Sequence, residues 1–306
     1  MLLLAMAVCA VGCSVERSGL LTGVGASDLG TSDTDLGGSD GATADTDLGM
    51  VEADLGAVEV DGGTPPGTCD PALCPGRYCE GGLCAYARSC NALHTATPSL
   101  PDGVYTLDGD GPDLLEPADT YCDMTNDAGG WTLVLKADGS GSTFRYDSTY
   151  WVDDVELAGS AMYDRIEAKL RTFRTVGFTQ VRIVMVTGSE THALVLDAGG
   201  TSCVQLFNGP SVTTAIARDT WLAMVPDVSL QDNCGRQGTN VAPAGDQARV
   251  RIGIIGNNEN NCDSSNSRIG IGGAAENDAV TTGNIARWNG WGNDRDTVSF
   301  GYVFVR

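Results

Sequence analysis

The 306-residue sequence predicts an α+β protein that is mostly β-strand and irregular loop, preceded by a disordered tether. Three observations carry that expectation. First, β-branched and aromatic runs at 131–135, 181–186, 193–196, 250–255 and 298–305 are bounded by Gly, Asn and Asp turn formers. Second, only 153–173 reads as helical, with Ile166 and Leu170 spaced four apart. Third, composition shifts near residue 67, from an acidic stretch without aromatic residues to a chain long enough for one sizeable domain over 89–306.

Residues 1–11 are apolar throughout, too short to span a bilayer and suited to the apolar region of a signal peptide. Ala10-Val-Gly-Cys13 resembles a bacterial lipobox, which implies a signal over 1–13 and diacylation of Cys13; plain secretion with nearby cleavage is the alternative. Either way the expected chain is exported, as a bacterial outer-membrane or cell-surface lipoprotein or else as a secreted protein. It would touch a membrane only through the lipid. Residues 14–67 hold eleven acids against one base, Arg17, so they contribute −10 of the net −22. Such a segment cannot bury enough apolar area to offset its ordering entropy and should be disordered. A degenerate tetrad ending Asp-Leu-Gly recurs at Gly30, Gly37, Gly49 and Gly56, without EF-hand spacing. A solvated tether spanning roughly 40 Å is the expectation.

Of eleven cysteines, Cys69, Cys74, Cys79 and Cys84 recur every five residues within 68–88. A module this small lacks a core of its own, and in an exported chain two disulfides are its natural staple, with a four-thiolate zinc site as the rival. Cys90 and Cys122 bracket about thirty residues, and a disulfide there would remove roughly 3–4 kcal/mol of denatured-state entropy. With Cys9 in the signal region and Cys13 set aside for the lipid, Cys203, Cys234 and Cys262 remain, an odd number.

Residues 89–134 are the most legible stretch. Ser89-Cys90 opens it, then Gly103-Val-Tyr-Thr-Leu107, Tyr121-Cys-Asp-Met-Thr125 and Ala128-Gly-Gly-Trp-Thr-Leu-Val134 follow. Gly129-Gly130 permits a tight turn before the apolar run that starts at Trp131. In this order and spacing the segment resembles the start of a fibrinogen-like domain, whose pattern is Ser/Asp-Cys, Gly-x-Tyr-x-Ile/Leu, Tyr-Cys-Asp-Met and Gly-Gly-Gly-Trp-Thr. That resemblance implies a Cys90–Cys122 disulfide and a fibrinogen-like fold with calcium-binding C-terminal loops.

The candidate site is 257–291. It contains Asn257-Asn-Glu-Asn-Asn-Cys-Asp-Ser-Ser-Asn266, Arg268-Ile-Gly-Ile-Gly-Gly273 and Glu276-Asn-Asp278. Asn260, Asp263, Asn266, Glu276 and Asp278 supply hard oxygen ligands on glycine-rich backbone, without histidine. That chemistry suits Ca²⁺ and disfavours zinc or copper. A polar loop capped by Asx-turns fits the same residues equally well. Residues 262–273 further resemble the loop of intelectins, a lectin branch of the fibrinogen-like family. Trp288-Asn-Gly-Trp-Gly292 and 302–306 are similar to that branch's following segments. The resemblance implies Asp263, Asn266 and Glu276 on a calcium ion that a sugar's exocyclic diol completes. It also implies Trp288, with Trp291 and Asn289 near it, as the ligand wall. Asp263 stands where the branch has Asn, Asn266 where it has His and Arg268 where it has Cys. Cys203, followed by Asn208-Gly-Pro210, resembles the cysteine that bonds the loop's first cysteine. This implies Cys203–Cys262 and leaves Cys234 odd; Cys234–Cys262 is the rival. Trp131, Trp151 and Trp221 sit among apolar neighbours and read as core.

The sequence does not predict an enzyme. His94 and His192 are the only histidines, and neither Gly-x-x-x-x-Gly-Lys nor His-Glu-x-x-His occurs. Gly270-Ile-Gly-Gly273 reads as a turn. The acidic balance argues against nucleic acid, which requires a basic patch. The expected function is calcium-dependent binding of glycans or polysaccharide at a bacterial surface. The alternative is an adhesion or envelope-scaffolding module that grips a surface protein and holds calcium only structurally.

Overall fold

The computed structural model describes residues 77–80, 82–112, 114–244, 247–274, 279–287 and 294–306, all within the unit Val60–Arg306. The expected signal segment, Cys13, the tether, Cys69 and Cys74 lie outside them. Of the small cysteine module, the strands β1 (Tyr78–Glu80) and β2 (Leu83–Ala85) pair antiparallel. Cys79 and Cys84 are both disulfide-bonded, as a stapled module requires.

The body is mostly β, built from two antiparallel sheets. The larger takes β3 (Gly103–Leu107), β4 (Ala118–Asp123), β5 (Trp131–Asp138), β15 (Phe300–Val305), β7 (Phe178–Thr187) and β8 (Glu190–Gly200) in that order, with the short β6 (Ala168–Lys169) on β5. The second runs β14 (Arg295–Val298), β13 (Thr282–Ala286), β12 (Ser267–Ala274), β11 (Arg249–Gly256), β10 (Gln237–Val241) and β9 (Val212–Thr213). All five strand expectations coincide with strands, although the run 298–305 divides at Ser299 between β14 and β15. Helices are short: α1 (Cys90–Ala96), α2 (Thr172–Thr175), α3 (Cys203–Asn208) and α4 (Arg218–Leu222). None among the described residues is long and apolar enough to cross a membrane.

Alternation of side chains along the strands sorts them into two apolar layers. Val181, Ile183 and Met185 of β7, Leu194 and Leu196 of β8, and Val303 and Val305 of β15 join Ile252, Ile254, Ile269 and Ile271 of the second sheet in the main core. The opposite face of the larger sheet carries Trp131, Leu133, Val184, Phe300, Tyr302 and Phe304. A register shift between Val303 and Phe304 leaves Val134 bulged, which is why Val134 and Leu135 both reach the main core. Cys90 and Cys122 form the expected disulfide, with Cα atoms 5.5 Å apart. Ser89 caps α1 by accepting from the Ala92 amide at 3.2 Å. Trp131, Trp151 and Trp221 are fully buried.

The helix expected over 153–173 is corrected: only Thr172–Thr175 is helical, and the rest bends across the larger sheet. Two buried lysines take the carbonyls a helix would have used internally. Lys136 Nζ donates to Ser160 O at 2.7 Å, Met162 O at 3.1 Å and the Asp164 carboxylate. Lys169 Nζ donates to Asp153 O at 2.6 Å and Oδ1 at 2.8 Å. Asp153, Ser160 and Asp164 meanwhile accept from amides two residues ahead, turn geometry that competes with helix. Burial pushes the Asp153 and Asp164 carboxyls up, but bonds and charge from Lys169 and Lys136 outweigh it and hold both below the usual value of 3.8.

Across the second sheet, Gly238, Gly253, Gly270 and Gly283 lie opposite one another in successive strands. Gly238, Gly270 and Gly283 have φ of 128°, 145° and 134°, conformations L side chains rarely adopt. The run 270–273 is therefore not a turn. It is the glycine half of a central strand.

Candidate metal and glycan site

The loop from Asn257 to Ser264 is scaffolded by its own amides. Asn257 is fully buried, makes a two-residue bridge with Asn233, and donates through Nδ2 to Asn261 O at 2.6 Å and Ser264 Oγ at 2.8 Å. Its Oδ1 accepts from the Asn258 amide, and Asn261 Oδ1 accepts from the Asp263 amide at 3.0 Å. Asn261 realises the Asx-turn reading of the loop, Asn257 ties it together from within, and both are spent on structure. Asn258, Glu259, Asn260 and Asp263 are exposed along the same stretch.

Cys234 bonds Cys262, with Cα atoms 5.0 Å apart. This corrects the expected Cys203–Cys262 pair: Cys203 starts α3 as a buried free thiol in the main core. Burial pushes its pKa well up, so it behaves as a small hydrophobe rather than a nucleophile. The pairing is decided by topology, because the bridge Asn233↔Asn257 brings Cys234 alongside the 257–264 loop. On the chain-entropy account a disulfide closing this 28-residue separation is worth about 3–4 kcal/mol. The double change Cys234→Ser, Cys262→Ser should lower stability by that order. Non-reducing peptide mapping of the parent should recover 234 linked to 262, with Cys203 alkylated only after denaturation.

Two acceptors here stand out. Asn266 Oδ1 and Gln231 Oε1 are buried and have no hydrogen-bond partner among the described residues. Gln231 is 3% exposed, and its Nε2 donates to Arg287 O at 2.8 Å, which fixes which end is oxygen. Its amide donates to Ser267 Oγ, next to Asn266. Asn266 O in turn accepts from the Arg287 amide at 2.9 Å. The two free carbonyl oxygens thus belong to residues bonded to either side of Arg287, the residue before Trp288. Arg287 itself pairs with the Asp296 carboxylate across the β13–β14 hairpin.

Gln231 is invisible in the sequence, where a lone glutamine in Leu230-Gln231-Asp232 carries no signal. Arg268 is fully buried in β12 and its guanidinium lies against Gly273 and donates to Val280 O. The structure brings Asn266 close to the hairpin leading to the expected aromatic wall, and places Asn260 and Asp263 on the exposed loop before it. Glu276, Asp278, Trp288, Asn289 and Trp291 lie outside the described residues. Among the described residues no three His, Cys, Asp or Glu side chains converge as a metal cluster.

No protein-family model matches the sequence. Among solved structures, the chain is similar to the fibrinogen-like globe domain of human ANGPTL6, at 18% identity and a TM-score of 0.28. The match covers 37% of this chain and 49% of that one, so the chain spans about half the length of the domain it resembles.

Proposed function

We propose that this chain is a surface-tethered, calcium-dependent carbohydrate-binding protein with a fibrinogen-like, intelectin-like domain, carried on a lipid-anchored tether. The observation that supports it is the pair of buried amide oxygens, Asn266 Oδ1 and Gln231 Oε1, of residues bonded to either side of Arg287, left without donors among the described residues. A buried acceptor without a partner costs roughly 1–3 kcal/mol, so each of these oxygens calls for a cation or donor. Amide carbonyls are ordinary calcium ligands, and calcium takes six to eight oxygens. The residues present therefore fit the ion.

Asp263, Asn266 and Glu276 would hold calcium, with Gln231 joining them and Asn260 and Asp278 as further oxygen donors. Bound calcium supplies coordination places that two vicinal sugar hydroxyls can fill. The remaining work falls to the chain. The Cys234–Cys262 bond and the Asn257 network fix the loop, so little ordering entropy is lost on binding. Trp288 and Trp291 would lie against the sugar's apolar face and exclude water, with Asn289 beside them.

The test is calorimetric titration with Ca²⁺, followed by a glycan array with and without chelator. Asp263→Ala, on an exposed loop, should abolish calcium-dependent retention while shifting folding stability by less than about 0.5 kcal/mol. Gln231→Met should weaken calcium binding by roughly tenfold, the loss of one ligand oxygen. Retention indifferent to chelator and to Asp263→Ala sinks the lectin reading. Calcium-dependent stability without any retained glycan would favour the scaffolding module and its protein partner.

A further inference from the structure

Away from the 257–287 region, a groove of about 330 Å³ opens on the outer face of the larger sheet. Val184 of β7 and Ala193 of β8, direct partners in register, form its floor. Tyr121 and Tyr163 form one wall, their rings stacked 5.2 Å apart at 22°. The far end holds Asp123, Asp127 and Arg182.

The charges at that end are not equivalent. Asp123 is nearly buried and saturated: its oxygens accept from the Thr125 and Asn126 amides, from Asn126 Nδ2 and from Arg182 Nη1 at 2.8 Å. Asp127 is half exposed; its Oδ2 accepts from Arg182 Nε at 2.6 Å, and its Oδ1 has no donor among the described residues. Asp127 is held in the left-handed region at φ 48°, ψ 47°, an unusual place for a residue other than glycine. Its carbonyl is clamped by Trp131 Nε1 at 3.3 Å and by Arg306 Nη1 at 2.9 Å. Arg306 in turn stacks over Trp131 at 4.2 Å. The half-exposed carboxylate is thus built into position, not left to wander.

Asp123 and Asp127 share the one guanidinium that lines the groove, Arg182, while Arg306 donates to the Asp127 carbonyl and not to its carboxylate. The Tyr121 hydroxyl is pushed up to about 12, first by burial and then by the Asp102 and Asp123 charges, with Arg182 acting against them, so it stays a neutral phenol in the groove wall. An incoming anion would meet Asp127 and find Arg182 Nε and Nη1 already committed. A cation meets a free carboxylate oxygen and the rings of two tyrosines. We propose that this groove binds an organic ammonium group, with Asp127 Oδ1 as its counter-ion and Tyr121 and Tyr163 as an aromatic wall.

The experiment is titration of the full chain in excess chelator, which removes any contribution from the calcium reading. At about pH 6.5 the amines are protonated, and the probes are glucosamine, N-acetylglucosamine and cadaverine. At least one amine should bind, with N-acetylglucosamine roughly tenfold weaker or worse than glucosamine if a sugar carries the ammonium. Binding of cadaverine alone identifies an alkyl amine as the source, and binding of glucosamine alone identifies an amino sugar. Asp127→Asn, which keeps an oxygen for Arg182, should weaken the bound amine by the same order. Ala193→Phe, on an exposed floor position of an edge strand, should block the groove with every charge in place. Failure of both amines to bind, or affinity unchanged by Asp127→Asn or Ala193→Phe, overturns the proposal.

Discussion

Replacing Gly270 with alanine is expected to cost about 3 kcal/mol or more and to leave little folded protein at 37 °C. Gly270 has φ 145°, and a Cβ there would lie 2.1 Å from Ile252 O and 2.8 Å from Gly253 Cα. Neither neighbour can move away, because both belong to the backbone of β11, which is paired to β12 in that register. The strain and the clash therefore add. Gly188 is the control: its φ of 60° is also left-handed, but nothing lies within 4 Å of the place its new methyl group would take, so Gly188→Ala should cost only about 1 kcal/mol. Urea denaturation of the two variants measures the difference. If Gly270→Ala unfolds within about 0.5 kcal/mol of the parent, the glycine row is not what shapes this sheet.

Trp151→Ala is expected to destabilise by about 3–5 kcal/mol, since it empties one of the two tryptophan side chains of the main core. Trp151 is fully buried and makes ring contacts with Phe207 at 4.7 Å, Phe144 at 5.9 Å and Phe173 at 6.4 Å. Its Nε1 donates to Arg145 O at 2.9 Å, so truncation also leaves that carbonyl without its donor. The ring lies against Gly272, where an added Cβ would meet it at 2.5 Å. Trp151 therefore links the aromatic cluster beside α2 and α3 to the strand that follows Asn266. Trp151→Phe should recover part of the loss, and thermal unfolding followed by calorimetry distinguishes the two. A Trp151→Ala protein as stable as the parent would show that the aromatic cluster is not a core.

The strands are legible in the sequence because their physics is local. Val181 to Val186 and Val250 to Ile255 alternate or run apolar over strand length, and Gly, Asn and Asp mark their ends. The Cys90–Cys122 bond is legible through the motif set around it. The helix expected over 153–173 fails for a non-local reason. Ile166 and Leu170 keep helical spacing, yet Ile166 is 56% exposed, the carbonyls of Ser160 and Met162 belong to Lys136 of β5, and that of Asp153 to Lys169, sixteen residues on in β6. Helical spacing within 153–173 carries no information about where Lys136 will lie. Gly270-Ile-Gly-Gly273 misleads in a similar way. A glycine run looks like a turn until Gly238, Gly253 and Gly283 are seen opposite it.

At the candidate site, composition alone points to the oxygen-rich loop at 257–266 and to Asn266 within it. It cannot separate Asn257 and Asn261, which build the loop, from Asn266, whose oxygen is left over. That distinction depends on which donors the fold delivers. Gln231 joins the site through a hydrogen bond 56 residues away, at Arg287.

The order of residues by itself determined the β-rich class, the strand positions, the buried tryptophans and the Cys90–Cys122 staple, because each follows from side-chain periodicity or close motif spacing. Only the tertiary structure decided that Cys234 rather than Cys203 closes on Cys262, and that a glycine run becomes a central strand. It alone brought Gln231 to Ser267 and Arg287 and set Asp127 beside Arg182. These outcomes rest on contacts between segments distant in sequence, whose geometry is fixed only when two sheets pack and their registers lock.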